Sequence, residues 1–373
     1  MRASADPFGC VATTNILRRV PPPKFFADAY PDRNDPRQNT LKNADFAMLA
    51  RCNDPDPITL SVTHWESYYQ GGRLAACPTG QDSNYTLELH DVWTEFFGSL
   101  ADAACLLDIG TGNGAIPLIA RQTADTLGRT YEIHGADLAR INPSRDVVDG
   151  ARLFAGITFH PGIAAEKLPF ESESFSAVSG QYALEYTDTR QSLAQVLRVL
   201  KPGAAAQFVM HHADSLIVER AHASLRHADA VLMDTKVHRK LRRFLDAEQR
   251  SRDAARRAWD DLASALSTLR SSGRADADRL VIDVTLDAVP KLLDSRRSLS
   301  RAALHREIDS VENDLRNSVR RLHDLIGAAI TNSAMAEYAQ RAHSLGFVDV
   351  TYRPMYHARF ALVGWCFRLR KPP

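Results

Sequence analysis

The stretch Cys105-Leu106-Leu107-Asp108-Ile109-Gly110-Thr111-Gly112-Asn113-Gly114 decides how the rest of the chain is read. An apolar run of strand length carries an acid near its end and gives way to three glycines alternating with Thr111 and Asn113. A helical pattern, Ala115 to Arg121, follows at once. The stretch predicts strand, tight turn, helix. Glycine is needed where the backbone takes unusual dihedrals or lets a ligand lie against it. The helix that follows aims its free N–H groups at the turn, which suits a polar or anionic ligand group. Pro117 falls in the first turn, where a missing N–H costs little. A dinucleotide turn reads G-x-G-x-x-G. Here the spacing is G-x-G-x-G preceded by Asp108. A structural glycine turn in another α/β protein is the competing reading.

Outward from that turn, α/β alternation continues. Tyr131 to Asp137 reads as a second strand ending in an acid, 23 residues after Gly114. At the end of a second strand in nucleoside-binding folds, a carboxylate accepts hydrogen bonds from both ribose hydroxyls. Ile157 to His160 is a short third strand, and Phe175 to Gly180 a fourth. Arg190 to Leu200 places Leu193, Val196, Leu197 and Leu200 on one helical face. Leu200-Lys201-Pro202-Gly203 is expected to stop that helix and reverse the chain into a fifth strand, Ala204 to His212. After a long interruption come a helix over Met335–Leu345, Gly346, a strand over Phe347–Tyr356 and another over Arg359–Arg370.

Asp-x-Gly-x-Gly-x-Gly after an apolar strand resembles motif I of the class I S-adenosylmethionine-dependent methyltransferases. The segment Gly162 to Phe170, the helix–Leu-Lys-Pro-Gly–strand unit and the closing hairpin resemble the same family in the same order, with a methyltransferase type 11/25-like core. The resemblance covers residues 63–213 and 334–371. It implies an α/β fold with a seven-stranded Rossmann-like sheet of order 3-2-1-4-5-7-6, strand 7 antiparallel. It implies S-adenosyl-L-methionine as cofactor, held by Asp108, Gly110, Thr111, Gly112, Asn113, Gly114, Asp137, Leu138, Ala165, Glu166, Gln181 and Tyr182. The chain departs from the family at Ala164, where many members have an Asp that bonds the adenine amine. It lacks the Asn/Asp-Pro-Pro-Tyr/Phe motif of nucleobase and amide methylation and the Pro-Cys nucleophile of cytosine C5 enzymes. Many members carry aromatic residues ahead of motif I that cover cofactor and substrate. Trp65, Tyr68, Tyr69 and Tyr85 stand there, and aromatic faces suit a sulfonium cation. Packing of the core is the plainer role for each.

His211 and His212 close the fifth strand beside the methyl-donor end of the sheet. Adjacent strand residues face opposite sides, so only one can face a given pocket. An imidazole there is a candidate general base; a hydrogen-bonded strand-end histidine is the alternative.

Residues 1–58 read as a flexible tail, with repeated Pro and Asp breakers and one short helical stretch at Asp45–Arg51. The methyltransferase domain spans 59–213 and 331–373. Residues 214–330 are rich in Arg, Asp, Ala and Leu. Leu304, Ile308, Val311, Leu315, Leu322 and Leu325 fit a and d heptad positions, with Ser318 at the missing a position. Two or three long, coiled-coil-like helices are expected, with breaks at Ser271-Ser272-Gly273 and Pro290, serving as a lid or a homodimer contact.

Net charge over 373 residues is +1, so no overall basic field invites nucleic acid or membrane. Neither is expected as a partner. The five cysteines, Cys10, Cys52, Cys77, Cys105 and Cys366, form no C-x-x-C pair, so no metal is expected and a reducing, cytoplasmic setting fits. The N-terminus lacks the apolar run of a signal peptide. The function expected is methyl transfer to the O or N of a small-molecule acceptor by in-line displacement. The alternatives are an NAD(P)-dependent Rossmann oxidoreductase and a non-enzymatic scaffold assembling through the helical insertion.

Overall fold

The computed structural model describes residues 62–76, 84–274 and 279–373. The expected tail, its Asp45–Arg51 helix, and the turn at Cys77–Gly80 lie outside the described residues. The sheet is built from β1 (Cys105–Ile109), β2 (Glu132–Asp137), β3 (Ile157–Pro161), β4 (Phe175–Gln181), β5 (Leu200–Met210), β6 (Val348–His357) and β7 (Ala361–Arg370). Its order is β3-β2-β1-β4-β5-β7-β6, as expected. The first five strands pair in parallel, and β7 runs antiparallel to both β5 and β6.

The central strands are apolar on both faces because helices cover both. One face packs against α2 (Glu88–Gly98) and α3 (Ala115–Leu127) through Leu89, Trp93, Phe97, Ile116 and Ile119. The other packs against α6 (Thr189–Val199) and α12 (Asn332–Leu345) through Leu193, Val196, Met335 and Ala342. α1 (Thr63–Gln70) precedes this frame, and two one-turn helices, α4 (Pro143–Asp146) and α5 (Gly150–Leu153), link β2 to β3. The β6–β7 hairpin turns through Ala358 and Arg359, both with positive φ. Both turn N–H groups donate to the Glu88 carboxylate, at 2.9 and 3.2 Å, tying the hairpin to α2.

Between β5 and β6 lies the helical insertion. It contains α7 (Leu216–Asp229), a π-helical segment at Ala230–Thr235, α8 (Val237–Ala247), α9 (Arg252–Ser271), α10 (Leu280–Ser295) and α11 (Arg301–Ala328). Ser215, Ser251 and Ser300 cap α7, α9 and α11, each hydroxyl accepting a backbone N–H three residues on. The heptad stripe of α11 divides its work. Leu304 and Ile308 enter the insertion's own core with Leu241, Leu262 and Ile282. Leu322 and Leu325 pack on Val218 and Ala221 of α7. No helix of the described residues is long and apolar enough to cross a membrane.

Three expectations are corrected. Among the described residues the insertion has five α-helices, with one of the unforeseen breaks at Lys236, which takes the left-handed region though its type carries no breaker signal, and others after α8 and α10. Pro290 does not break its helix. It sits inside α10, where burial of Ile282, Val289 and Leu292 outweighs one lost hydrogen bond. Leu200 to Gly203 is the start of β5 rather than a turn. A register irregularity between Phe175 and Ala177 lets β4 pair on both sides of it.

Phe208 of β5 is fully buried. Phe208→Ala should cost about 3–5 kcal/mol, as for large core aromatics. Val148→Ala, at an 82% exposed side chain, should change stability by less than about 0.5 kcal/mol. Denaturant unfolding of the two variants checks both values.

Candidate active site

The glycine loop between β1 and α3 is built for close approach. Gly110 and Gly112 both have positive φ. A Cβ on Gly110 would lie 2.3 Å from the Ala183 side chain, and one on Gly112 would lie 2.6 Å from the ring of Tyr69. Two buried acids frame the loop. Asp108 accepts the Ser179 hydroxyl at 2.7 Å, and burial pushes its carboxyl up to about 7, opposed by that hydrogen bond. Asp137 accepts the backbone N–H of Gly112 on one oxygen and that of Ala139 on the other, each at 2.8 Å. Burial raises Asp137 to about 6, with those two N–H groups opposing it. Each oxygen keeps a lone pair for a ribose hydroxyl.

Asn113 donates to the carbonyls of Tyr69 and Arg73, both at 2.8 Å, and so pins the end of α1 to the loop. Rings then run in sequence across the carboxyl edge of the sheet. Tyr69 stacks on Trp65 with centroids 6.2 Å apart. Trp65 meets Tyr186 edge-on at 5.9 Å, and Tyr186 meets His211 edge-on at 6.0 Å. Tyr182 covers His211 at 4.1 Å, and Tyr85 meets Tyr182 edge-on at 6.4 Å. The insertion holds the near end of this wall. Asp324 of α11 lies 2.6 Å from His64 and accepts from the Trp65 indole at 3.1 Å. Arg321 donates to the His64 carbonyl at 3.0 Å, its guanidinium over the Tyr68 ring at 4.6 Å.

The two strand-end histidines part as alternation requires. His211 and Glu185 are both buried, and Glu185 Oε1 accepts the backbone N–H of His211 and its ring Nδ1–H, both at 2.8 Å. That bond assigns the proton to Nδ1 and leaves Nε2 with a lone pair. Nε2 has no hydrogen-bond partner among the described residues. His212 stacks on Trp365 at 4.5 Å, and its Nδ1 accepts from the Asp214 backbone N–H at 3.0 Å. It belongs to the opposite face.

The structure gathers Asp108, Gly110, Thr111, Gly112, Asn113 and Asp137 at one loop. Trp65, Tyr68 and Tyr69 stand over it, with Tyr85, Tyr182 and His211 farther along the wall. Gln181, next to Tyr182, accepts from the Trp93 indole. Leu138 is exposed beyond Asp137, and Ala165 is half-buried. Glu166 accepts the Asp188 backbone N–H at 2.8 Å, at the start of α6. Sequence reasoning missed Glu185 and Tyr186. An acid in an aromatic run after a buried strand was the available signal, but its partner lies 26 residues away.

The residues fit S-adenosylmethionine. The glycine loop leaves no room for a Cβ, Asp137 stands at the end of β2, and the buried Asn113 Oδ1 of the loop has no hydrogen-bond partner among the described residues. Protonation of Asp137 removes one acceptor from the ribose position. Affinity for S-adenosylhomocysteine should therefore fall as pH drops below about 6, by up to about tenfold per unit. Calorimetric titration from pH 5 to 8 checks this, and Asp137→Asn should bind weakly with the slope flattened.

Comparison with known proteins agrees. The methyltransferase domain family matches residues 107–208. A demethylmenaquinone methyltransferase of Chlorobaculum parvum is 32% identical over 106 residues, 28% of this chain and 39% of that protein. A ubiquinone/menaquinone biosynthesis C-methyltransferase of Geobacter sulfurreducens is 34% identical over 105 residues, 27% of this chain and 39% of that protein. The chain thus spans about two fifths of the length of these curated relatives. An S-adenosylmethionine-dependent methyltransferase structure from Aquifex aeolicus is 18% identical, covers 34% of this chain and 65% of that one, and has a TM-score of 0.29, too slight to bear on function. With motif, strand order and family match in agreement, residues 107–208 are the core of a class I S-adenosylmethionine-dependent methyltransferase domain.

Proposed function

We propose that the chain transfers a methyl group from S-adenosylmethionine to a small-molecule acceptor that carries a hydroxyl on an aromatic ring. The observation that carries this reading is the buried Glu185–His211 pair, with its unpartnered Nε2 inside an aromatic wall. The two relatives named for quinone-pathway methylation add support for a ring acceptor.

S-adenosylmethionine, when bound, supplies an electrophilic methyl group on a sulfonium sulfur. Asp137 and the glycine loop would hold the nucleoside, and the ring faces of Trp65 and Tyr69 would lie beside the cation. Tyr182, Tyr186 and Tyr85 would orient an aromatic acceptor and exclude water, which places the reacting atoms in line. His211 Nε2 would take the hydroxyl proton, while Glu185 keeps the proton on Nδ1 and stabilises the imidazolium formed. Loss of that proton activates both the oxygen and the adjacent ring carbon, so O-methylation and ring C-methylation share the device. An amine acceptor would give its proton to the same nitrogen. The products are the methylated acceptor, S-adenosylhomocysteine and a proton. The insertion acts as the support of a lid, through Asp324 and Arg321.

Transfer of labelled methyl from S-adenosylmethionine to a panel of phenols and hydroquinones tests the reading, with the methylated atom read by mass spectrometry. His211→Ala should lower kcat about 10²- to 10⁴-fold and leave S-adenosylhomocysteine affinity unchanged. Glu185→Gln should also lower kcat without weakening cofactor binding. Full kcat in both variants would remove the pair from the reaction.

A further inference from the structure

At the opposite end of β1 and β2 from the glycine loop, three metal-ligating side chains converge. The β1–β2 register pairs Cys105 with Glu132 and Leu107 with His134, which puts Cys105, Glu132 and His134 on one face of the sheet. One ligand atom from each, the Cys105 sulfur, a Glu132 oxygen and a His134 ring nitrogen, lies within 4.8 Å of the other two. Within the set, His134 Nε2 and Glu132 Oε1 are 3.0 Å apart.

A fourth residue completes the arrangement from behind. His134 Nδ1 lies 3.0 Å from His160 Nε2 on β3, and the two rings stack with centroids 5.3 Å apart. Phe170 and Phe175 meet the His134 ring edge-on at 6.2 and 5.7 Å, and Phe170 meets His160 edge-on at 5.0 Å. The imidazole is therefore boxed by rings, with Nε2 turned toward Cys105 and Glu132. A metal-bound histidine ordinarily donates its other N–H to an acceptor that fixes tautomer and orientation. His160 Nε2 is placed to be that acceptor.

We propose that Cys105, Glu132 and His134 form a zinc site, with water as fourth ligand and His160 as the positioning partner of His134. Thiolate, imidazole and carboxylate are donors that zinc accepts together. One thiolate and one carboxylate balance the charge of Zn²⁺. Tetrahedral bonds of about 2.0–2.3 Å place donor atoms roughly 3.3–3.8 Å apart, so the set closes by small side-chain rotations. Glu132 is exposed and free to make them. On binding, the Cys105 thiol proton passes to solvent, and the His134 proton, which the Glu132 carboxylate holds on Nε2 in the metal-free protein, moves to Nδ1, with His160 carrying its own proton on Nδ1 so that its Nε2 accepts. The site would clip β1 to β2 at the amino ends of the two strands and takes no part in methyl transfer.

The full chain, stripped with chelator and dialysed, should bind one equivalent of Zn²⁺ by calorimetry and unfold at a higher temperature with zinc present. Co²⁺ in its place should give a thiolate-to-metal charge-transfer band. Cys105→Ser should abolish that band, and Glu132→Gln, at an exposed position, should weaken binding while the metal-free protein melts as the parent does. His160→Gln keeps all three donors and should weaken zinc about 10- to 100-fold. No zinc binding, a charge-transfer band that survives Cys105→Ser, or parental affinity in Glu132→Gln would each overturn the proposal.

Discussion

The carboxylate of Asp137 is the point on which the site depends. Its two oxygens receive the N–H groups of Gly112 and Ala139, so one buried acid at the end of β2 fastens the glycine loop that leaves β1. The loop in turn sets the start of α3 and offers Gly112 to the Tyr69 ring. Burying a carboxylate is costly unless it is hydrogen-bonded. The cost remains visible in the raised pKa of Asp137, and of Asp108 beside it. A pair of acids buried at such a cost is poorly justified as packing. It is well justified as the frame for a polyhydroxylated, cationic ligand.

From that frame the aromatic wall carries the site along the carboxyl edge, from Tyr69 to His211. The insertion is part of the same construction. Asp324 and Arg321 reach from α11 to the backbone and rings of α1, which lies over the glycine loop. The sheet itself is held by two buried faces and does not depend on the insertion's separate core.

Much of this was legible in the sequence. Parallel strands buried on both faces leave apolar runs, and glycines such as Gly110, Gly112 and Gly346 mark turns, so the strands and the cofactor loop could be read, while the strand order came through the family resemblance alone. Asp137 could be read because its distance from the loop is set by one helix and one strand. What escaped were features made by pairing across the fold. Glu185 meets His211 only after β4 and β5 align, and Cys105 meets His134 only through the β1–β2 register. Lys236 turns the chain in a conformation its type does not advertise, and Pro290 sits in a helix that packing keeps intact. The separation of His211 from His212 followed from strand alternation, but which of them met a carboxylate did not.

The central claim is that the glycine loop and Asp137 receive S-adenosylmethionine rather than a nicotinamide dinucleotide. A competition titration measures it directly, with S-adenosylhomocysteine and NADH added in either order to the full chain. Saturable binding of one equivalent of S-adenosylhomocysteine, undisturbed by excess NADH and lost in Asp137→Ala, is the predicted result. Saturable NADH binding with none for S-adenosylhomocysteine would contradict it.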